Sequence, residues 1–157
     1  MFFASPTFGA IHVVLSFLGI LAGFPVLAGL LRGEIVRNGW THVFLWTTFW
    51  TSLTGFLFPF GGVTPALGTG IVATLVMIPT LSALYRFNLE GRWRLIYVVG
   101  AVASLYLNTF VLVVQSFLKF PHLNALAPTG SEPPFVIVQF VVLAFFVLAG
   151  WLAVKRT

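Results

Sequence analysis

The chain has 157 residues, of which 59% are hydrophobic and only 7% charged. A water-soluble domain of this size would carry about a quarter charged residues, so the composition excludes an ordinary soluble module and predicts a membrane protein. A net charge of +5 with no cysteine leaves no disulfides, thiolate metal sites, iron–sulfur clusters or cysteine nucleophiles. The basic residues fall at helix ends, which is a topology signal and no reason to expect a nucleic-acid partner.

A membrane span needs about 20 mostly apolar residues. Taken in order, the apolar runs predict spans over residues 9–31, 41–60, 64–85, 95–119 and 134–154. The first has neither a basic leader nor an A-x-A cleavage site before it, so it reads as a retained span. The second and third are separated only by Gly61, Gly62 and Val63, which predicts an antiparallel hairpin. Pro59-Phe60-Gly61-Gly62 argues against one long helix through 41–85. Pro25 and Pro79 fall inside the first and third spans and predict kinks. Small-residue pairs at Gly19/Gly23, Gly29/Gly33 and Gly100/Ser104 would allow close helix approach. The expectation is all-α: residues 1–157 as one domain, an integral membrane bundle of five transmembrane helices.

Charge gives that bundle a direction. Arg32, Arg37, Arg86, Arg92, Arg94, Lys155 and Arg156 fall on one side of the predicted spans, and Lys119 alone on the other. Positive charge marks the cytoplasmic side, which predicts the N-terminus outside, the C-terminus in the cytoplasm and a Pro-rich 120–133 segment facing outward. Trp40, Trp93 and Trp151 lie near the cytoplasmic ends of their spans, where an aromatic belt is expected.

The fourth span carries an unusual polar row. Ser104, Asn108, Gln115 and Lys119, with Val111 filling the gap, recur at helical spacing and form one stripe. By depth, Asn108 falls near mid-membrane, and His12, Gln115, Lys119, His122, Glu132 and Gln139 fall in the outer third. His42 falls a full bilayer away from His12. Polar groups in hydrocarbon are costly and must find partners or a wet cavity. His12, Ser104, Asn108, Gln115, Lys119, Glu132 and Gln139 are therefore the candidate ligand-binding residues of an outward-opening pocket covered by the 120–133 segment. The plainer alternative is that the amides bond helix to helix, with Glu132 and Lys119 paired at the interface. Thr47, Thr51 and Thr54 share a face of the second span, with Thr48 and Ser52 beside it, either packed and self-satisfied or lining a polar cavity.

Catalytic motifs are absent: there is no HExxH, GxSxG or phosphate loop. The acidic residues number three, all glutamate, and Glu34 and Glu90 belong to the opposite side from Glu132, so paired-carboxylate catalysis lacks a second member. No close ligand spacing supports a metal. No cofactor is predicted, although one haem near the outer face through His12 and His122 stays open as an alternative.

The segment LYLNTFVLVVQSFLKFPHLNALAPTGSEPPFVIVQ, with TSLTGFLFPF before it, resembles a family of uncharacterised small multi-span proteins of bacterial inner membranes. The resemblance implies a multi-pass protein of the bacterial cytoplasmic membrane and supplies no activity, cofactor or catalytic residue. The sequence is therefore read as a non-catalytic membrane protein whose polar pocket takes a small or lipid-like ligand, for transport, sensing or an accessory role. A haem- or quinone-binding redox subunit and an oligomeric channel are the alternatives. The partners expected are the lipid bilayer, such a ligand, and further copies of the chain or a larger membrane complex.

Overall fold

The structure is a computed structural model that describes residues 5–59, 62 and 65–157. Six helices follow one another: α1 (Pro6–Leu31), α2 (Gly39–Gly55), α3 (Pro65–Tyr85), α4 (Arg92–Lys119), α5 (Pro121–Leu126) and α6 (Pro133–Arg156). There is no strand among the described residues. Four of the helices, α1, α3, α4 and α6, are long and apolar enough to cross a membrane. α2 is shorter at 17 residues. It ends at Gly55, before the predicted limit of residue 60. The expected Gly61-Gly62-Val63 hairpin lies, apart from Gly62, outside the described residues.

Local chemistry sets the helix boundaries. Ser5 caps α1, its hydroxyl accepting from the Phe8 amide at 3.2 Å, with Pro6 at the first position, where a missing N–H costs nothing. Asn38 caps α2 by accepting from the Thr41 amide at 3.2 Å. α4 stops at Lys119 because Phe120 precedes Pro121: it takes φ −88°, ψ 118°, the extended region that a following proline imposes. The predicted Pro-rich connection then holds the short helix α5. Asn124 ties α5 back to α4 by donating to the Phe117 carbonyl at 3.2 Å.

α4 is the central element and touches all the other helices. α1 packs antiparallel to α2 and α4, α3 antiparallel to α4, and α6 lies against α4 and α1. The small-residue pairs act within this bundle. A Cβ at Gly100 would overlap the Thr80 hydroxyl, and one at Gly23 would fall 2.5 Å from Leu105 Cδ1. The α3–α4 and α1–α4 contacts therefore depend on missing side chains.

The apolar core lies at one end. Leu30 of α1, Phe44 and Leu45 of α2, Leu84 of α3, Tyr97 and Val98 of α4 and Ala153 of α6 pack where the arginines gather. There the cations close the helix ends. Arg156 donates to the Leu31 carbonyl at the end of α1, and Arg37 to the Leu84 carbonyl near the end of α3 at 3.2 Å. Both meet the negative end of a helix. At the opposite end the helices part.

Candidate functional site: a cavity between four helices

Where the helices part, a cavity of about 820 Å³ lies between the first turns of α1, the end of α2, the start of α3 and the C-terminal half of α4. Its floor is set at mid-bundle. A Cβ at Gly19 would meet Thr48 Oγ1 at 3.0 Å, Thr47 Oγ1 at 3.1 Å and Asn108 Nδ2 at 3.3 Å. Just beyond, Gly23, Leu105 and Phe44 close the bundle. Small residues make the room on α3, where Gly70 and Ala73 form the wall.

His12, Asn108, Gln115 and Lys119 all line this cavity. Asn108 sits at the floor and donates from Nδ2 to the buried Thr48 hydroxyl at 3.0 Å. His12 is held by α2. The Thr54 hydroxyl has one proton, and its oxygen lies 2.7 Å from the Trp50 carbonyl, so that proton is spent there. His12 Nδ1, 3.0 Å from the same oxygen, then supplies the hydrogen of its own bond. Hydrogen bonding thus assigns the neutral ring to the Nδ1–H form, with Nε2 left as an acceptor. Phe58 stands perpendicular to the ring at a centroid separation of 5.1 Å.

Most hydroxyls of the wall have no proton to offer a ligand. Ser16 donates to the His12 carbonyl at 2.9 Å, Ser52 to that of Thr48 at 3.0 Å and Ser116 to that of Leu112 at 2.8 Å. This is the usual way a hydroxyl is satisfied inside a membrane-type helix. Three groups differ. The Thr51 hydroxyl is buried with no hydrogen-bond partner among the described residues. Gln115 and, one turn beyond it at the mouth, Lys119 make no hydrogen bond or ion pair among the described residues.

The other predicted residues lie elsewhere. Ser104 is in the packed core, donating to Met77 Sδ at 3.1 Å, so the polar stripe of α4 is split between core and cavity. Gln139 faces the α4 backbone, Nε2 donating to the Phe110 carbonyl at 3.3 Å. Glu132 accepts from the Thr129 amide at 3.1 Å, the Thr129 hydroxyl at 2.9 Å and the Ser131 amide at 3.1 Å, and these bonds take the place of the expected pair with Lys119. Desolvation acts to raise its pKa, but the hydrogen bonds from Thr129 and Ser131 outweigh it and hold the carboxyl below its ordinary range. Of the 120–133 segment, only Phe120 reaches the cavity wall, so the expected cover is a neighbour of the site.

Sequence reasoning left Thr51 and Ser52 open between packing and cavity, and missed the α3 wall. The signal for that wall was Gly68, Thr69, Gly70 and Ala73, which leave space where larger side chains would fill it. His42 is at the far end, its Nδ1 2.5 Å from the Tyr85 hydroxyl, and His122 is exposed. Among the described residues, no three His, Asp or Glu side chains gather as a metal-ligand group. No family model, curated protein or solved structure matches the chain.

Proposed function

We propose that this is a multi-pass inner-membrane protein whose cavity opens outward and binds a small or amphiphilic ligand, in transport, sensing or as an accessory subunit. The membrane assignment is supported by the outer surface of the bundle. Leu21, Leu75, Phe140, Val141 and Val147 are each more than 60% exposed, a continuous apolar exterior that water would not tolerate. Only 11% of the apolar stretch of α6 is buried, so most of that helix needs lipid.

On this reading α2 is the fifth span. Its 17 residues rise about 25 Å, at the short end of what crosses a bilayer. Trp40, Val43, Trp46 and Trp50 are exposed along one side of it, an apolar stripe facing the same way as the exteriors of its neighbours. The basic end is cytoplasmic and the cavity end outside, by the positive-inside rule.

The observation that carries the ligand reading is the cavity itself, about 820 Å³, with Thr51, Gln115 and Lys119 on its wall lacking side-chain partners among the described residues. Its size falls within the range of small-molecule sites, roughly 300–1,000 Å³. Packing alone leaves no reason for free polar groups to converge there. The test is native mass spectrometry of protein extracted in mild detergent. The wild type is expected to carry a bound molecule that Gln115→Leu loses while remaining folded. A wild type without any adduct, or one retained equally by Gln115→Leu, would refute the pocket.

A further inference from the structure

We infer that the ligand is a single-chain anionic amphiphile, its carboxylate at Lys119 and Gln115 and its alkyl chain running inward toward Asn108. This inference rests on the ligand-binding reading of the same cavity and gives that ligand a chemical class. The charges come first. Among the described residues the ionisable groups on the wall are His12 and Lys119, and no carboxylate lines it. Glu132, the acid nearest Lys119 in sequence, is engaged with Thr129 and Ser131. Lys119 is thus a cation on a cavity wall with no acidic partner among the described residues. Lys119 is exposed at the mouth, so an unpaired cation stands where an anionic head group would arrive.

The free donors point the same way. Because Ser16, Ser52 and Ser116 give their protons to backbone carbonyls, the N–H groups available at the mouth are those of Gln115 and Lys119. They stand one helical turn apart on α4 and suit the two oxygens of a carboxylate. Deeper in, the wall turns apolar through Val13, Phe17 and Ile20 of α1 and Leu107, Val111 and Leu112 of α4. From Lys119 to Asn108 the helix rises about 16 Å, so the cavity wall runs from a charged rim to an apolar interior. At the floor one N–H of the Asn108 amide is engaged by the Thr48 hydroxyl.

A long-chain acid and a phospholipid chain share this chemistry, and the inference commits to the free acid. The probes are palmitate, hexadecanol and dioleoyl phosphatidylglycerol, added to the purified full-length protein in neutral detergent and followed by equilibrium binding. Palmitate is expected to saturate one site at least about tenfold more tightly than hexadecanol, the value of one charge-assisted contact. Lys119→Gln should bring palmitate down to the level of the alcohol, and Lys119→Arg should preserve the preference. Equal binding of palmitate and hexadecanol, unmoved by Lys119→Gln, would overturn the anionic class and leave the cavity as a binding site. Displacement of palmitate by phosphatidylglycerol at equal potency would overturn the free acid in favour of a lipid. If neither single-chain probe saturates while an adduct survives purification, the class is wrong. If neither binds and nothing co-purifies, the cavity reading falls with it.

Discussion

Asn108 and Gln115 carry the same functional group seven positions apart on α4, yet their surroundings differ. The Asn108 amide bonds the buried Thr48 hydroxyl at 3.0 Å, joining α4 to α2. Gln115 has no such partner. Asn108→Leu is therefore expected to destabilise the protein in detergent by about 0.5–1.5 kcal/mol, the range of an interhelical hydrogen bond. With the bound molecule removed from both proteins, Gln115→Leu should stay within about 0.5 kcal/mol of the wild type. Thermal melting of both variants checks this, and equal losses would show that Gln115 is also a packing residue. Sequence periodicity put both residues on one stripe but could not separate these roles. It also could not tell that Ser104 has Met77 for a partner, since a period gives the face of a helix and not what stands opposite.

The helices themselves were largely readable. The ends of α1, α4 and α6 fall within a few residues of the apolar runs, because proline and capping residues act locally. α5 was not anticipated. A six-residue helix carries no apolar period, and a proline-rich string reads as a loop even where Pro121 sits at a helix start. The following turn, 127–132, is organised by the Glu132 carboxylate and by Gly130 at φ +71°. Because the folded carboxyl titrates below its ordinary value, its stabilisation of this turn is complete above that value and disappears as pH falls through the folded pKa. The Thr129 and Ser131 amide resonances should accordingly titrate with a midpoint below 4.5, and Glu132→Gln should abolish the titration. A midpoint at or above 4.5 would mean that these hydrogen bonds do not hold in solution.

Over the whole molecule, the two ends of the bundle are built differently. At one, aromatic and aliphatic side chains fill the interior, and Arg37 and Arg156 bind the carbonyl ends of α3 and α1. At the other, small residues on α3 and the break at Pro121 leave the helices apart around His12, Gln115 and Lys119. The bias of basic residues to one side was visible in the sequence and matches the closed end. The asymmetry of packing was not, since it depends on which small residues meet large neighbours across helices. Gly100 meets Thr80 and adds to a tight contact, whereas Gly68 has nothing within 4 Å of where its Cβ would lie.

Water and solutes are expected to reach Gln115 from outside, at a depth where the exterior of the same helix faces lipid. The chain has no cysteine, so single-cysteine variants report cleanly. Gln115→Cys lines the cavity, whereas Leu118→Cys, one turn nearer the end of α4, replaces a side chain 57% exposed on the bundle exterior. With a membrane-impermeant thiosulfonate added to the outside of intact cells, Gln115→Cys is expected to react readily and Leu118→Cys to stay inert, although Leu118 is the shallower of the two. Reaction at Leu118→Cys with Gln115→Cys protected would contradict an outward-opening cavity.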